Sequence, residues 1–93
     1  MTDDLLEVVL SPKARAAFDG RVLEFFYFDQ SGQTSRFHLA YVGEIGLTTD
    51  KKGRHYLDIK TTLGYPWRQD VDDNHLSQVQ QLIAAVLQAR AAA

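Results

Sequence analysis

The chain has no cysteine. That excludes a disulfide framework, a thiolate metal site and a cysteine nucleophile, and it fits a reducing compartment. Charge of one sign is also missing. Ten lysines and arginines stand against twelve aspartates and glutamates, a formal net charge of −2. There is no basic field of the kind that drives nucleic-acid binding, and no global pull toward anionic membranes. No apolar run approaches the roughly 20 residues that span a bilayer. The acidic start, Met1-Thr2-Asp3-Asp4, lacks the basic segment and long apolar stretch of a signal peptide. The expected location is the cytoplasm, with no nucleic-acid partner and no membrane.

Catalytic motifs are scarce as well. Ser11, Ser31, Ser35 and Ser77 lie outside any Gly-x-Ser-x-Gly elbow. Gly43 and Gly46 are too close together for a phosphate loop and lack the lysine that follows one. Glu7, Glu24, Glu44 and Asp58 are scattered singly, as exposed strand residues usually are. His38, His55 and His75 share no metal-ligand spacing, so no metal site and no cofactor is expected.

What is present is a series of strand patterns followed by one amphipathic helix. At 93 residues, 45% hydrophobic and 11% aromatic, the chain is one globular domain with a thin core. Such a small core would gain from a partner subunit. Leu5 to Leu10, with its paired valines, reads as a strand. Ser11-Pro12 ahead of an alanine-rich stretch is a helix-start signal, so one or two helical turns are expected over Ala14 to Phe18. The rival reading makes Ala14 to Phe18 a strand and Asp19-Gly20 a tight hairpin turn.

Arg21 to Phe28 is the clearest strand. Leu23, Phe25 and Tyr27 share one face, with Val22, Glu24, Phe26 and Phe28 on the other. Asp29 to Gly32 is a turn by composition, and Thr34 to Val42 is the antiparallel partner, with Phe37, Leu39 and Tyr41 on one face. Gly43 and Gly46 suggest a bulge or bend, with Ile45 and Leu47 still inward. Thr49 to Gly53 closes a hairpin into a strand from Arg54 to Thr61, with Leu57 and Ile59 inward. Leu63 to Gln69 is a last, edge-like strand because Pro66 has no N–H for a ladder.

The helix is expected over about residues 72–90. Asp72, Asp73 and Asn74 supply cap acceptors and negative charge, and Val71 and Leu76 take the hydrophobic-staple positions. Leu76, Val79, Leu82, Ile83, Val86 and Leu87 form a stripe wide enough to lie on a sheet.

The layout resembles the pleckstrin-homology-like superfold in its small bacterial form. The resemblance is carried by the string of antiparallel strands, the Phe18-Asp19-Gly20-Arg21-Val22-Leu23-Glu24-Phe25 segment, the Lys52-Gly53-Arg54 hairpin and the C-terminal helix. It implies an α+β fold: a strongly bent antiparallel sheet or partly open barrel of six to seven strands, capped by one helix. It also implies a binding or scaffolding module, and it brings no catalytic residues with it.

Two surfaces stand out for such a role. Phe26 and Phe28 break the alternation on the outer side of their strand, as a second apolar surface or as part of a core covered on both sides. Tyr65-Pro66-Trp67-Arg68 is either a peptide-docking ledge or a cluster whose Trp67 packs under the helix, and the second is favoured. Phe26, Phe28, Tyr65 and Trp67 are therefore the expected interaction surface, and the function they imply is non-catalytic binding of another protein or of a second copy. The alternative is anion or lipid-headgroup binding by Lys51, Lys52 and Arg54, with His55 beside them. A looser basic set, Lys13, Arg15 and Arg21, flanks the Asp19-Gly20 turn. An enzyme with an unrecognised site is the least favoured reading.

Overall fold

A computed structural model describes residues 5–27 and 34–92 of the chain. Seven strands are followed by one long helix: β1 (Leu6–Ser11), β2 (Ala14–Phe18), β3 (Val22–Tyr27), β4 (Thr34–His38), β5 (Val42–Thr49), β6 (His55–Thr61), β7 (Pro66–Val71) and α1 (Leu76–Ala92). Single 3-10 turns occupy Leu39–Tyr41 and Asp73–His75. The strands form two antiparallel sheets, β1-β2-β3-β4 and β5-β6-β7. The fold is α+β, as the element order predicts, with the strands divided between two layers.

The segment from Ala14 to Phe18 is a strand, not the expected helix. Alanine favours a helix by intrinsic propensity, but tertiary pairing overrides it. β2 is bonded on both sides, Ala16 standing opposite Val8 of β1 and Phe25 of β3. Ala14, Ala16 and Phe18 are buried while Arg15 is exposed, which is a period of two. Ser11 caps nothing helical: its hydroxyl accepts from the Lys13 N–H at 3.2 Å inside the β1–β2 turn. Asp19-Gly20 makes the next turn. The Asp19 carboxylate accepts from the Arg21 and Val22 N–H groups, both at 2.8 Å, and Gly20 adopts φ 96°.

The strand expected over Thr34 to Val42 stops at His38. His38 Nδ1 accepts from the Ala40 N–H at 3.1 Å, and the Leu39 N–H donates to the Arg21 carbonyl at 2.7 Å. These bonds turn the chain out of the first sheet and into the second. Leu39 packs on the core, but Tyr41 is 59% exposed and not inward. At Gly43 the β5–β6 register shifts, and an added Cβ would lie 2.9 Å from the Lys60 carbonyl oxygen. Gly46 pairs regularly with Asp58 and has open space around it, so the bulge belongs to Gly43 alone.

Leu63 lies in the turn before β7, and Pro66 is the first residue of that strand, where no ladder N–H is required. The helical segment begins as expected, with the Asp72 side chain accepting from the Asn74 N–H at 3.5 Å. Its buried stripe is narrower than the pattern implies. Val79, Leu82 and Val86 are fully buried, Leu76 and Ile83 pack at the margin, and Leu87 is exposed.

The helix is tied at both ends. Gln78 Oε1 accepts from the Val9 N–H of β1 at 3.2 Å, and Arg90 Nη1 donates to the Gly43 carbonyl of β5 at 2.7 Å. The Asp72 N–H, just before α1, donates to the Leu10 carbonyl at 2.7 Å. Between the layers lies a core of Val8, Leu10, Phe18, Leu23 and Phe25 from the first sheet, Val42, Leu57, Ile59 and Val71 from the second, and the three buried helix residues. Among the described residues this core includes no polar or charged side chain.

Candidate functional site

The most exposed apolar side chains gather at one end of the molecule. The Thr62 N–H donates to the Tyr41 carbonyl at 2.9 Å, fixing the 3-10 turn against the β6–β7 turn. That second turn is itself closed tightly. The Gly64 N–H donates to the Thr61 carbonyl, the Thr61 N–H to the Tyr65 carbonyl, and the Tyr65 N–H to Thr61 Oγ1. Gly64 takes φ 91°, a conformation that favours glycine. The result holds Leu63 out at 77% exposure and Tyr65 at 67%, beside Tyr41. Three large side chains exposed to that degree on two hydrogen-bonded turns are the kind of surface that is often functional on a small protein.

Next to this patch is an open cavity of about 730 Å³. Leu39, Val42, Ala89 and Ala92 give it apolar walls, and Arg21, His38 and Arg90 give it polar ones, with no acidic residue in the lining. The His38 ring meets Tyr41 edge to face at 6.3 Å. Because His38 Nδ1 accepts from Ala40, the neutral ring carries its proton on Nε2 and can donate from there. The Asp19 carboxylate near Arg21 is turned back onto its own loop. Its pKa is lowered chiefly by the Val22 N–H, next by the Arg21 N–H, with the Arg21 charge a smaller cause.

The expected interaction residues are not brought together. Phe26 stands on the outer face of the first sheet, half-buried, between Arg15 of β2 and Thr34 of β4. Phe28 lies outside the described residues. Trp67 faces inward, its indole 4.2 Å from the Phe25 ring and 5.4 Å from the Phe37 ring, so it joins the two sheets. Tyr65 alone of the four belongs to the exposed end. Tyr41 and Leu63 were the residues sequence reasoning missed. Tyr41 was assigned to a strand face. Leu63 carried a usable signal: a large aliphatic residue between Thr-Thr and Gly in a turn has no sheet face to bury it.

The basic hairpin tip is a self-neutralised loop. Asp50 Oδ1 accepts from the Lys52 and Arg54 N–H groups, each at 2.9 Å, and Asp50 Oδ2 accepts from Arg54 Nε at 3.1 Å. The Arg54 N–H is the main cause of the lowered Asp50 pKa. His55 Nε2 pairs with Asp73 at 2.8 Å, and Asp70 and Asp72 line the same hollow as Lys52 and Arg54. Lys51 and Lys52 remain as exposed cations, and Lys52 shares its hollow with Asp70, Asp72 and Asp73. Lys13 and Arg21 sit at opposite ends of β2, with Arg15 between them on the outer face, so that basic set does not converge.

On the outer face of the second sheet a polar network spans its strands. Arg68 grips Asp58 with Nε at 2.7 Å and Nη2 at 3.0 Å, and Thr48 Oγ1 donates to the same carboxylate at 2.6 Å. The Arg68 pair is the largest cause of the lowered Asp58 pKa. The guanidinium also lies over the Tyr56 ring, 4.4 Å from its centre, and the Tyr56 hydroxyl donates to Asp50 at 3.1 Å. Desolvation, and then that bond, raise the tyrosine's pKa. At the foot of the helix His75 Nδ1 is shut off from water without a hydrogen bond, with Asp72 Oδ2 3.7 Å away. Among the described residues no group of three or more histidine, aspartate or glutamate side chains could hold a metal ion, and no helix is long and apolar enough to cross a membrane.

No family model, curated protein or solved structure matches this chain.

Proposed function

We propose that this chain is a non-catalytic protein-interaction module of pleckstrin-homology-like layout, and that it docks through the end carrying Tyr41, Leu63 and Tyr65. The observation that carries the reading is the deliberate exposure of Leu63. A hydrogen-bonded turn with a left-handed glycine holds an aliphatic side chain out at 77% exposure, beside two exposed tyrosines and an open cavity. Burying an aliphatic side chain of this kind is worth about 2 kcal/mol. A turn that instead keeps it in water suits a surface completed by a partner. The ionisable side chains point the same way. They are spent on surface links such as Arg68 with Asp58 and His55 with Asp73, and they do not converge in the cavity as an acid–base pair would.

The partner is another protein or a second copy of the chain, with the cytoplasm as the setting. The rival surface, Lys51, Lys52 and Arg54, is the weaker one, because Asp50, Asp70, Asp72 and Asp73 surround it. The test is a photo-crosslinking residue placed at Leu63, and in a second variant at Lys51, in cells making the full chain. The expected result is one discrete adduct from position 63 and none from position 51. An adduct of twice the chain's mass identifies self-association. No adduct from position 63 overturns the proposal.

A further inference from the structure

The cavity beside Tyr41 differs from the rest of the surface in the sign of its charge. The chain carries a formal net charge of −2, yet among the described residues this lining holds Arg21, His38 and Arg90 and no carboxylate. Among the described residues neither Arg21 nor Arg90 has an acidic partner within ion-pair distance, whereas Arg36, Arg54 and Arg68 each do. Arg90 is held in place by its bond to the Gly43 carbonyl, and as the basic residue of the last helical turn it offsets the partial negative charge of the helix end. An anion is therefore favoured on the Arg21 and His38 side of the cavity, away from the helix carbonyls. There the His38 ring can donate from Nε2 and the exposed Arg21 guanidinium can swing to meet it. The remaining walls, Leu39, Val42, Ala89 and Ala92, suit an aliphatic group, and the exposed Tyr41 and Leu63 adjoin the lining residues Ala40, Val42 and Thr62 in the chain.

We infer that this cavity is the specificity pocket of the docking end, and that it takes a carboxylate side chain from a partner segment in which acidic and aliphatic residues adjoin. The carboxylate meets Arg21 and His38. The neighbouring aliphatic side chains lie on the cavity wall and on the Tyr41–Leu63 rim. The inference rests on the docking end proposed above and adds the chemistry of what docks there. Charge complementarity commits the pocket to an acidic protein segment. A basic or neutral segment would crowd the Arg21 guanidinium without supplying a counter-charge.

The test is a titration of the isotope-labelled full chain, followed by amide chemical shifts, with three capped peptides that differ at one position. The first is acetyl-Leu-Leu-Glu-Leu-Leu-amide, and the others carry Gln or Lys in place of Glu. Decanoate provides a lipid-like carboxylate for comparison. The Glu peptide is expected to move the signals of Leu39, Ala40, Thr62 and Ala89, and to bind roughly fivefold more tightly than the Gln peptide, the scale of one partly exposed charge pair. The Lys peptide is expected to bind more weakly still. Arg21→Gln should erase the difference between the Glu and Gln peptides while leaving the unliganded spectrum folded, because the Arg21 backbone makes the fold's bonds to Asp19 and Leu39.

Equal binding of all three peptides overturns the inference, as does the absence of shifts at those four residues. Decanoate shifting the same signals more tightly than the Glu peptide overturns it in favour of a lipid. If the crosslinker at Leu63 captures a partner while the peptides show no charge preference, this inference fails and the docking end stands. If position 63 captures nothing, both fall.

Discussion

The Trp67 indole and the Phe25 ring lie 4.2 Å apart, centre to centre, with their planes tilted by 37°. One belongs to the second sheet and the other to the first, and Phe37 closes the group edge-on at 5.9 Å from Phe25. This trio is a direct side-chain link between layers that share no strand ladder among the described residues, which makes it a fulcrum of the fold. Trp67→Ala should lower stability by about 3 kcal/mol, the lower end for a tryptophan truncation because the ring is only partly buried. A double-mutant cycle with Phe25→Leu should return a coupling of about 1 kcal/mol. Urea unfolding followed by circular dichroism measures both. A Trp67→Ala variant as stable as the parent would mean that the ring belongs to a surface.

Gly43 and Gly46 make an internal control. An added methyl at Gly43 meets the Lys60 carbonyl oxygen at 2.9 Å, a backbone atom that cannot swing aside, while at Gly46 it meets nothing within 4 Å. Gly43→Ala should therefore cost about 1–3 kcal/mol, the range for forcing atoms into an occupied site. Gly46→Ala should be neutral or slightly stabilising, because it restricts the unfolded chain at a position compatible with a side chain. Thermal melts of the two variants side by side decide the matter, and equal melting temperatures would refute the bulge as the reason for Gly43.

The strands with strict alternation were legible in the sequence. Leu57 and Ile59, or Leu23 and Phe25, mark an inner face without reference to the rest of the chain, and the Asp72 cap with Val71 and Leu76 marks the helix start. Two kinds of segment were not. Ala14 to Phe18 looks helical because alanine's propensity is local, whereas the pairing that makes it a strand comes from Val8 and Phe25, in the flanking strands and outside the segment itself. Tyr41 was placed on one strand face with Phe37 and Leu39 because the strand period was carried past His38, where a side chain to backbone bond ends it. The exposed end was hidden for the same reason. It is assembled from a 3-10 turn, a β6–β7 turn and the last turn of α1, and the Thr62 to Tyr41 bond brings the two turns into contact.

The pH dependence follows from three aspartates. Asp58 is lowered first by its Arg68 pair, Asp50 first by the Arg54 N–H, and Asp19 first by the Val22 N–H. Each is more acidic folded than unfolded. The stability they contribute is therefore fully present above the ordinary carboxylate value of about 4 and is lost as pH falls through the lower folded values. Denaturant midpoints should be flat from neutral pH down to about 5 and then decline. Asp58→Asn should lower the neutral midpoint modestly, since the group is partly exposed, and make the acid decline shallower. An acid limb of unchanged slope in Asp58→Asn would remove that pair from the account.

The two apolar features outside the core, half-buried Phe26 and exposed Leu63, separate by substitution. Phe26 lies on the outer face of the first sheet, away from the core, and Leu63 projects from the far turn, so neither replacement opens a cavity. Leu63→Ser should keep the parent's stability within about 0.5 kcal/mol, as surface changes do, and Phe26→Ser should cost about 1 kcal/mol because its ring is half-buried. Their effects on association should differ. If copies of the chain pair through the docking end, light scattering across a concentration series will show a mass that falls to the monomer in Leu63→Ser and is unchanged in Phe26→Ser. The opposite pattern, with Phe26→Ser monomeric and Leu63→Ser still associated, would move the interface to the outer face of the first sheet, where Arg15 and Phe26 stand in register across β2 and β3. It would leave the exposed turn as a feature of the monomer alone.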